Sequence, residues 1–472
     1  MKKKFKSILA DAERLFSFTI IAASLTILSA CNKTDFISNV LFSSGNITNI
    51  TSGRVTDLNN LPVSNALVTV GMATTYTDNN GQFSIKNASL NKEFGFIRVS
   101  KPGYFPASRT FLIYTNPIKN IKIILLPKTI SGKFSATSGG TINILGGGLV
   151  SFSTNSIVNA ATGAVYSGNV FVSSFFLNTA DPRFNDYMPG DLIGINSSNQ
   201  QKILQSFGMI SIELNDEAGE KLQLASGNTA TIIFPIPASL QANAPADIPL
   251  WFFDETTGMW KEEGIATKQG NNYKGTVTHF SFWNCDLPAE YVKLELALKD
   301  QKDIPLANKL VTITSVTYGT RGSYTDSKGI VSGLIPLNES LLIKVYDQCG
   351  EIIYSNNIGP FSSDTNLGSI IVPSINPQLD ITLSGNVVNC SNTPVTNGFV
   401  QVYSGNYYFN AAITNGNFVI TFPYCSNSTN PPAIIAYDVG NGWQSSAQII
   451  NNLSSNQNIG QLNACFTTLA SD

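Results

Sequence analysis

The sequence is poor in the side chains that most enzymes use for proton transfer and metal binding. Its 472 residues contain one histidine, His279, and charged residues make up only 13% of the chain. A metallocarboxypeptidase or an H-E-x-x-H zinc peptidase needs at least two histidine ligands, so both classes are excluded. Walker A, C-x-x-C and G-x-S-x-G motifs are also missing from the sequence. We therefore expect a protein that is not an enzyme and uses neither a metal nor a cofactor.

The chain also lacks an excess of positive charge. Its formal net charge is −2 at pH 7, and its sequence pI is about 5.6. Since no basic field is present to attract a polyanion, nucleic acid is not an expected partner. The hydrophobic fraction of 43% is enough for several cores, and the length suits three or four domains.

The N-terminus has the pattern of an export signal. Four lysines lie among the first six residues, and the apolar run at 15–28 is too short to span a membrane comfortably. The sequence L-S-A-C that ends at Cys31 resembles a bacterial lipobox, which implies lipidation of Cys31. We expect a signal peptide at 1–30 and a tether at 31–50. An ordinary cleaved signal and an uncleaved anchor are the alternatives.

A loose repeat is present in three segments of the chain. The pattern P-x-x-N-x-x-V-x-[V/I] occurs at 62–70, 305–313 and 394–402. In each copy a strand-like run precedes the proline, and a turn with glycine and a further strand follow. Apolar residues at every second position predict strands with one face turned to a core. Each copy is therefore predicted to be a small antiparallel β-sandwich.

These segments resemble the carboxypeptidase regulatory-like family, whose fold is a transthyretin-like or prealbumin-like sandwich. The first copy is the most similar, with S-G-R-V-T-D, L-P-V-S-N-A-L-V-T-V and T-Y-T-D-N-N-G-Q-F. The resemblance implies a module of secreted and cell-surface proteins that carries no peptidase chemistry. Carbohydrate binding is known for related sandwiches and enters only by analogy. The regulatory-like domains are predicted at 51–128, 290–374 and 375–472.

A longer domain is predicted at 129–289 between the first and second copies. Residues 250–264, LWFFDETTGMWKEEG, indicate a hairpin in which Trp251 and Phe253 precede a tight turn and Trp260 begins the return strand. The segment NNYKGTVTHFSFWNCD at 271–286 is predicted to be one further strand. The glycine-rich opening and the closing H-F-S-x-W resemble ZU5-type extracellular sandwiches.

Some ZU5-type domains cleave their own chain within His-Phe-Ser. The resemblance implies that Ser281 attacks the carbonyl of Phe280 while His279 assists the proton transfer. The competing hypothesis, which we favour, is that His279 is a packed strand residue among aromatic neighbours. Cleavage predicts two fragments on a denaturing gel, and packing predicts one chain.

Five cysteines remain after Cys31. Disulfides are permitted outside the cytoplasm, but an odd number leaves at least one thiol unpaired. Three of the five follow residue 385, so a bridge is favoured there, and a second pair of Cys285 with Cys349 is open. The candidates are Cys285, Cys349, Cys390, Cys425 and Cys465.

Two further groups of residues have ligand-like chemistry. Asp181, Asp186 and Asp191 lie in one polar excursion, but their spacing does not fit an EF-hand, and solvated carboxylates explain them better. Aromatic residues near the C-terminus suggest a platform for sugar rings, although core or cross-strand packing is the more common role. The platform candidates are Tyr407, Tyr408 and Trp443, with Phe409 beside them.

Together these features predict an all-β protein of tandem β-sandwich domains that is held to a membrane by a lipid anchor. The expected location is the outer membrane of a Bacteroidota-like cell, on the periplasmic side or at the surface. The expected function is a structural or binding role, in which sandwich loops contact a glycan, a matrix component or an envelope protein. Self-processing at His279–Ser281 and an accessory role in glycan uptake are the alternatives.

Overall fold

The computed structural model describes residues 47–467 except for 60, 79–80, 91–93, 113–117, 182, 308, 327, 348, 374–379, 405–406, 425–430, 439, 442 and 452–455. Strands dominate these residues. The helical elements among them are one turn of α-helix, α1 (Phe184–Tyr187), and one 3-10 turn (Gln241–Asn243). In this part of the chain we find no helix with the length and apolarity that a membrane crossing requires. The predicted all-β fold class is confirmed.

The N-terminal module is a two-sheet sandwich of seven strands. They are β1 (Ile47–Asp57), β2 (Leu67–Val70), β3 (Ala73–Tyr76), β4 (Gln82–Leu90), β5 (Phe94–Ser100), β6 (Ala107–Leu112) and β7 (Ile118–Leu125). One sheet has the order β4-β1-β7 and the other the order β3-β2-β5-β6. β1 pairs with β4 antiparallel but with β7 parallel. The predicted antiparallel sandwich therefore includes one parallel pair, because the chain crosses through the opposite sheet before β7 returns beside β1.

The middle domain connects its strands into one 13-stranded network. They are β8 (Ile130–Ser135), β9 (Gly140–Asn143), β10 (Leu149–Phe152), β11 (Ile157–Asn159), β12 (Asn169–Leu177), β13 (Ile193–Ile195), β14 (Gln201–Asn215), β15 (Lys221–Leu224), β16 (Ala230–Pro235), β17 (Asp247–Asp254), β18 (Met259–Gln269), β19 (Asn272–Val277) and β20 (Phe282–Ala289). The predicted hairpin is confirmed: Phe253 pairs with Trp260, and Asp254 pairs with Met259.

Two further sandwiches follow. The inner module comprises β21 (Tyr291–Lys299), β22 (Leu310–Ser315), β23 (Gly319–Tyr324), β24 (Ile330–Pro336), β25 (Leu341–Tyr346), β26 (Ile352–Ile358) and β27 (Thr365–Ile371). The C-terminal module comprises β28 (Asp380–Asn389), β29 (Gly398–Ser404), β30 (Tyr407–Ala412), β31 (Asn417–Pro423), β32 (Ala433–Asp438), β33 (Trp443–Gln444), β34 (Gln448–Ile449), β35 (Asn456–Ala464) and β36 (Phe466–Thr467). Their first strands, β21 and β28, repeat the arrangement of β1, with one antiparallel and one parallel neighbour.

The sequence repeat corresponds to a structural repeat. In each of the three modules, a residue near the end of the first strand donates its N–H to the carbonyl of the turn glycine. The carbonyl of the same residue accepts a hydrogen bond from the N–H of the residue that follows the proline of the pattern. The equivalent donors and glycines are Val55 with Gly81, Leu298 with Gly329, and Val387 with Gly416. The three modules can therefore be compared position by position.

The N-terminal module and the middle domain share one hydrophobic core. Phe105 lies with its ring centroid 6.4 Å from that of Phe282, and Phe96 lies 6.2 Å from Phe253. The Thr110 hydroxyl donates to the carbonyl of Gly258 at 2.7 Å. Burying aromatic rings across a junction fixes two domains rigidly, because separating them would expose a large apolar area. The N-terminal module and the middle domain are therefore joined rigidly and do not behave as independent domains.

Candidate functional site

The segment around His279 is a break between two strands. β19 ends at Val277 and β20 begins at Phe282. β19 lies between β16 and β18, whereas β20 lies between β14 and β17. The chain must leave one position in the sheet and enter another, so it bends at 278–281. The prediction of one continuous strand over this segment is wrong.

The His279 ring is packed between aromatic side chains. Its centroid lies 4.8 Å from that of Phe252 and 5.0 Å from that of Trp283. Its Nε2 atom lies 3.8 Å from a carboxylate oxygen of Glu263. Burial lowers the pKa of His279, and the Glu263 charge partly opposes that shift. The ring is therefore held by its neighbours and directed at a carboxylate.

The neighbouring Phe280 and Ser281 are held by other partners. The Gln223 side chain accepts the N–H of Phe280 at 2.9 Å and donates to the carbonyl of Phe280 at 3.3 Å. The Ser281 hydroxyl donates forward to the carbonyl of Phe282 at 3.1 Å. Among the described residues, no hydrogen bond connects Ser281 with His279. The hydroxyl therefore has no base in contact to activate it.

A buried polar cluster lies just beyond this break, and the sequence analysis missed it. Ser206 donates to the amide oxygen of Asn284 at 2.5 Å, and the Asn284 amide donates to Asp286 at 2.6 Å. The other carboxyl oxygen of Asp286 is buried without a hydrogen-bond partner. Burial raises the pKa of Asp286 well above its ordinary value, although Ser206 and Arg321 act in the opposite direction. Burial therefore disfavours the charged form of the Asp286 carboxyl group.

One of the two cysteine pairs suggested by the sequence analysis is not formed. Cys285 is free and fully buried in the core of the middle domain, so the suggested pair of Cys285 with Cys349 is wrong. Cys349 is disulfide-bonded. Cys425 and the lipidation candidate Cys31 lie outside the described residues.

Two thiols of the C-terminal module lie side by side. Cys390 follows β28 and Cys465 follows β35, which are paired neighbours with Asn389 opposite Ala464. The Cys390 thiol donates to the carbonyl of Cys465 at 3.3 Å. The side-chain hydrogen bond with Cys390 is the main cause that raises the pKa of Cys465 to about 11. Both thiols are free, and together they match the predicted bridge after residue 385 in position.

The aromatic candidates are spread across the sheet of the C-terminal module. Tyr407 and Tyr408 lie in β30, where they pair with Ser404 and Tyr403, and their side chains are outside the description. Trp443 is half-buried in β33. The sheet order β30-β29-β32-β33 separates the two strands by roughly 14 Å, or three strand spacings. The strand that carries Trp443 is therefore not a neighbour of the strand that carries Tyr407 and Tyr408.

The three aspartates of the polar excursion have separate surroundings. Asp181 forms an ion pair with Arg183 at 3.1 Å, and Asp186 forms one with Lys122 at the same distance. Asp191 accepts the N–H of Leu192 at 2.7 Å. In the described ranges we find no group of three or more side chains suited to hold a metal ion.

A cavity lies where the N-terminal module, the middle domain and the inner module meet. Its volume is about 370 Å³, within the range of roughly 300–1,000 Å³ that is typical of small-molecule sites. Most of the lining side chains are apolar. They include Met188, Leu192, Leu294, Leu296, Val311, Ile313, Val331 and Ile335.

Three charged side chains line this cavity, and each comes from a different unit. Arg109 belongs to β6, Asp191 to the middle domain and Arg321 to β23. Arg321 donates to the carbonyl of Leu204 at 2.7 Å and so crosses the junction. Burial lowers the pKa of both arginines, and nearby carboxylates oppose that shift. The sequence analysis did not find this site, because its residues are scattered over more than 200 positions.

Comparison of the sequence with known families and curated proteins gives no match. Membership in the carboxypeptidase regulatory-like family therefore stays a prediction.

Several solved structures of bacterial pilins are similar in part. The shaft pilin SpaA from Lactobacillus rhamnosus GG is 8% identical, covering 39% of this chain and 100% of that chain with a TM-score of 0.22. The streptococcal ancillary pilin is 10% identical over 48% of this chain and 95% of that chain, with a TM-score of 0.17. A variant of BcpA, the major pilin subunit of Bacillus cereus, is 9% identical over 69% of this chain and 99% of that chain, with a TM-score of 0.14. At these values the likeness says nothing of this chain's function.

Proposed function

We propose that this chain is a non-enzymatic protein of the cell envelope with a structural or binding role. The observation that carries the proposal is the fusion of its units. Phe96, Phe105 and Thr110 of the N-terminal module pack against or bond to the middle domain, and Arg321 of the inner module bonds to Leu204. A rigid series of sandwiches suits a protein that presents surfaces and loops to partners.

Attachment to the membrane through Cys31 is part of this proposal and is tested by fractionation. We expect the full chain, expressed in a Gram-negative host, to be recovered with the membranes. Cys31→Ser should release it, because a thioether-linked lipid needs the thiol. Cys390→Ser is the matched control, since it removes a different thiol and should leave the protein on the membrane. Recovery of the wild-type protein from the cytoplasm would overturn the envelope location.

The binding role is sharpened by a glycan array with the soluble fragment from about residue 45. Binding to one class of glycan would assign a lectin-like role, and uniform absence of binding would favour a scaffold. An accessory role in glycan uptake is distinguished by genomic neighbours, such as a TonB-dependent transporter. Hydrolysis of any glycan on the array would contradict the non-enzymatic proposal.

Self-cleavage is tested by a denaturing gel of the purified full chain. We expect a single band, because the Ser281 hydroxyl bonds to the carbonyl of Phe282 and His279 faces Glu263. Ser281→Ala should give the same single band. Two wild-type fragments that divide at Ser281, and that merge into one chain in Ser281→Ala, would show that the chain processes itself.

A further inference from the structure

The core of the inner module has a gap at Gly333. Gly333 pairs with Leu294 and lies between the inward-facing Val331 and Ile335 in β24. A Cβ atom added at Gly333 would meet no other atom within 4 Å. The backbone there needs no glycine, because its φ lies outside the left-handed region. Open space therefore takes the place of a core side chain.

The equivalent position is filled in the other modules. Counting from the turn glycines Gly81, Gly329 and Gly416, Gly333 corresponds to Ile85 and Ile420, which are both buried. Ile313, the last residue of the pattern in the inner module, is only half-buried and lines the cavity. The gap is thus particular to the inner module and continuous with the cavity at the junction.

Two guanidinium groups, those of Arg109 and Arg321, line the cavity. Asp191 also lines it, and Asp186 and Asp286 act on the arginines from nearby. Among the described residues, the Arg109 guanidinium has no hydrogen bond or ion pair. Its N–H groups can therefore donate charge-assisted hydrogen bonds to an anionic group in the cavity.

We propose that this cavity binds a monocarboxylic acid with an unbranched apolar body. The apolar body would lie over Gly333 among Leu294, Val331 and Ile335, and the carboxylate would meet Arg109 and Arg321. A cavity of about 370 Å³ lies at the small end of the range of roughly 300–1,000 Å³ for small-molecule sites, which suits a medium-chain acid such as decanoate. The proposal is independent of the envelope role, since it requires neither the lipid anchor nor a glycan.

Calorimetric titration of the full chain tests the proposal with three probes of equal chain length, each below its micelle-forming concentration. We expect decanoate to bind at least tenfold more tightly than decanol, because the charge-assisted hydrogen bonds need the carboxylate. Decyltrimethylammonium should bind more weakly than decanol, since its ammonium group would face the guanidinium of Arg109. Equal affinity for all three probes, or no binding of any, would overturn the proposal.

Two arginine variants test the contact with the carboxylate of the ligand. Arg109→Met and Arg321→Met should each weaken decanoate binding by roughly tenfold to a hundredfold and leave decanol unchanged. Arg98→Met is the matched control, since Arg98 is exposed and does not line the cavity, and it should bind as the wild type does.

Filling the gap tests the apolar end. Gly333→Ile should weaken decanoate and decanol alike, by at least tenfold, and Gly333→Val should do the same to a smaller extent if the larger variant does not fold. Unchanged binding in a folded Gly333 variant would place the probes elsewhere on the protein and overturn the assignment.

Discussion

The inner and C-terminal modules share a strand arrangement but differ in how their cores are filled. In the C-terminal module, β31 turns Phe418, Ile420 and Phe422 inward, and they belong to one continuous cluster of buried residues. In the inner module, β24 turns Val331, Gly333 and Ile335 inward, and the buried residues divide into two clusters. The same strand framework therefore encloses a filled core in the C-terminal module and a core with a gap in the inner module.

This difference shows that the framework and the core volume are specified separately. The turn glycine and the hydrogen bonds around it fix the framework in both modules. The size of three alternate side chains on one strand then decides whether a cavity forms.

The largest expected effect comes from opening the closed core. Ile420→Gly removes a buried side chain and adds backbone freedom in a strand, so it should destabilise the C-terminal module by about 3–5 kcal/mol. Hydrogen exchange of peptides from β28–β35 measures this locally in the full chain. Val419→Gly on the exposed face is the control and should cost about 1 kcal/mol. Equal losses in the two variants would mean that Ile420 does not support the core.

A second difference between the modules is the thiol pair of the C-terminal module. Oxidation of Cys390 and Cys465 by glutathione disulfide would close a loop between residues 75 positions apart. Because such a loop restricts the unfolded chain, we expect the melting temperature of this module to rise by roughly 10–20 °C. The inner module has no thiols at the equivalent strand ends, so its melting should stay unchanged.

Cys390→Ser and Cys465→Ser separate this effect from other consequences of the oxidant. Each should abolish the rise in melting temperature and leave the reduced protein close to the wild type. A rise that persists in either variant would place the responsible bridge elsewhere.

Much of the framework was predictable from local patterns. Period-two alternation identified the strands, and the turn after Phe253 identified the hairpin with Trp260. The repeat also carried a signal for the gap: aligned on the turn glycine, G-I-V-S-G-L-I-P of the inner module has Gly333 where G-N-F-V-I-T-F-P has Ile420. The alignment needs a known register, because a shift of one residue turns the opposite face inward.

The junctions and the break at His279 were not predictable in the same way. The contact of Phe105 with Phe282 and the bond of Arg321 to Leu204 join residues far apart in the chain. Alternation along 271–286 continues through the bend, so it does not reveal that β19 and β20 occupy different places in the sheet. The burial of Asp286 also depends on a distant strand, because Asp286 pairs with Ser206 of β14.

The smallest expected effect comes from closing the open core. Gly333→Val should stabilise the inner module by about 1–2 kcal/mol, because it adds buried methyl groups to open space and reduces the freedom of the unfolded chain. Ile420→Val gives both modules valine at the equivalent position and should cost the C-terminal module about 1 kcal/mol. Hydrogen exchange of peptides from β21–β27 and β28–β35 reports the two changes in one experiment. A loss of stability in Gly333→Val would show that neighbouring side chains occupy the space above Gly333 in solution. The two cores would then differ in the mobility of their side chains and not in the volume that is filled.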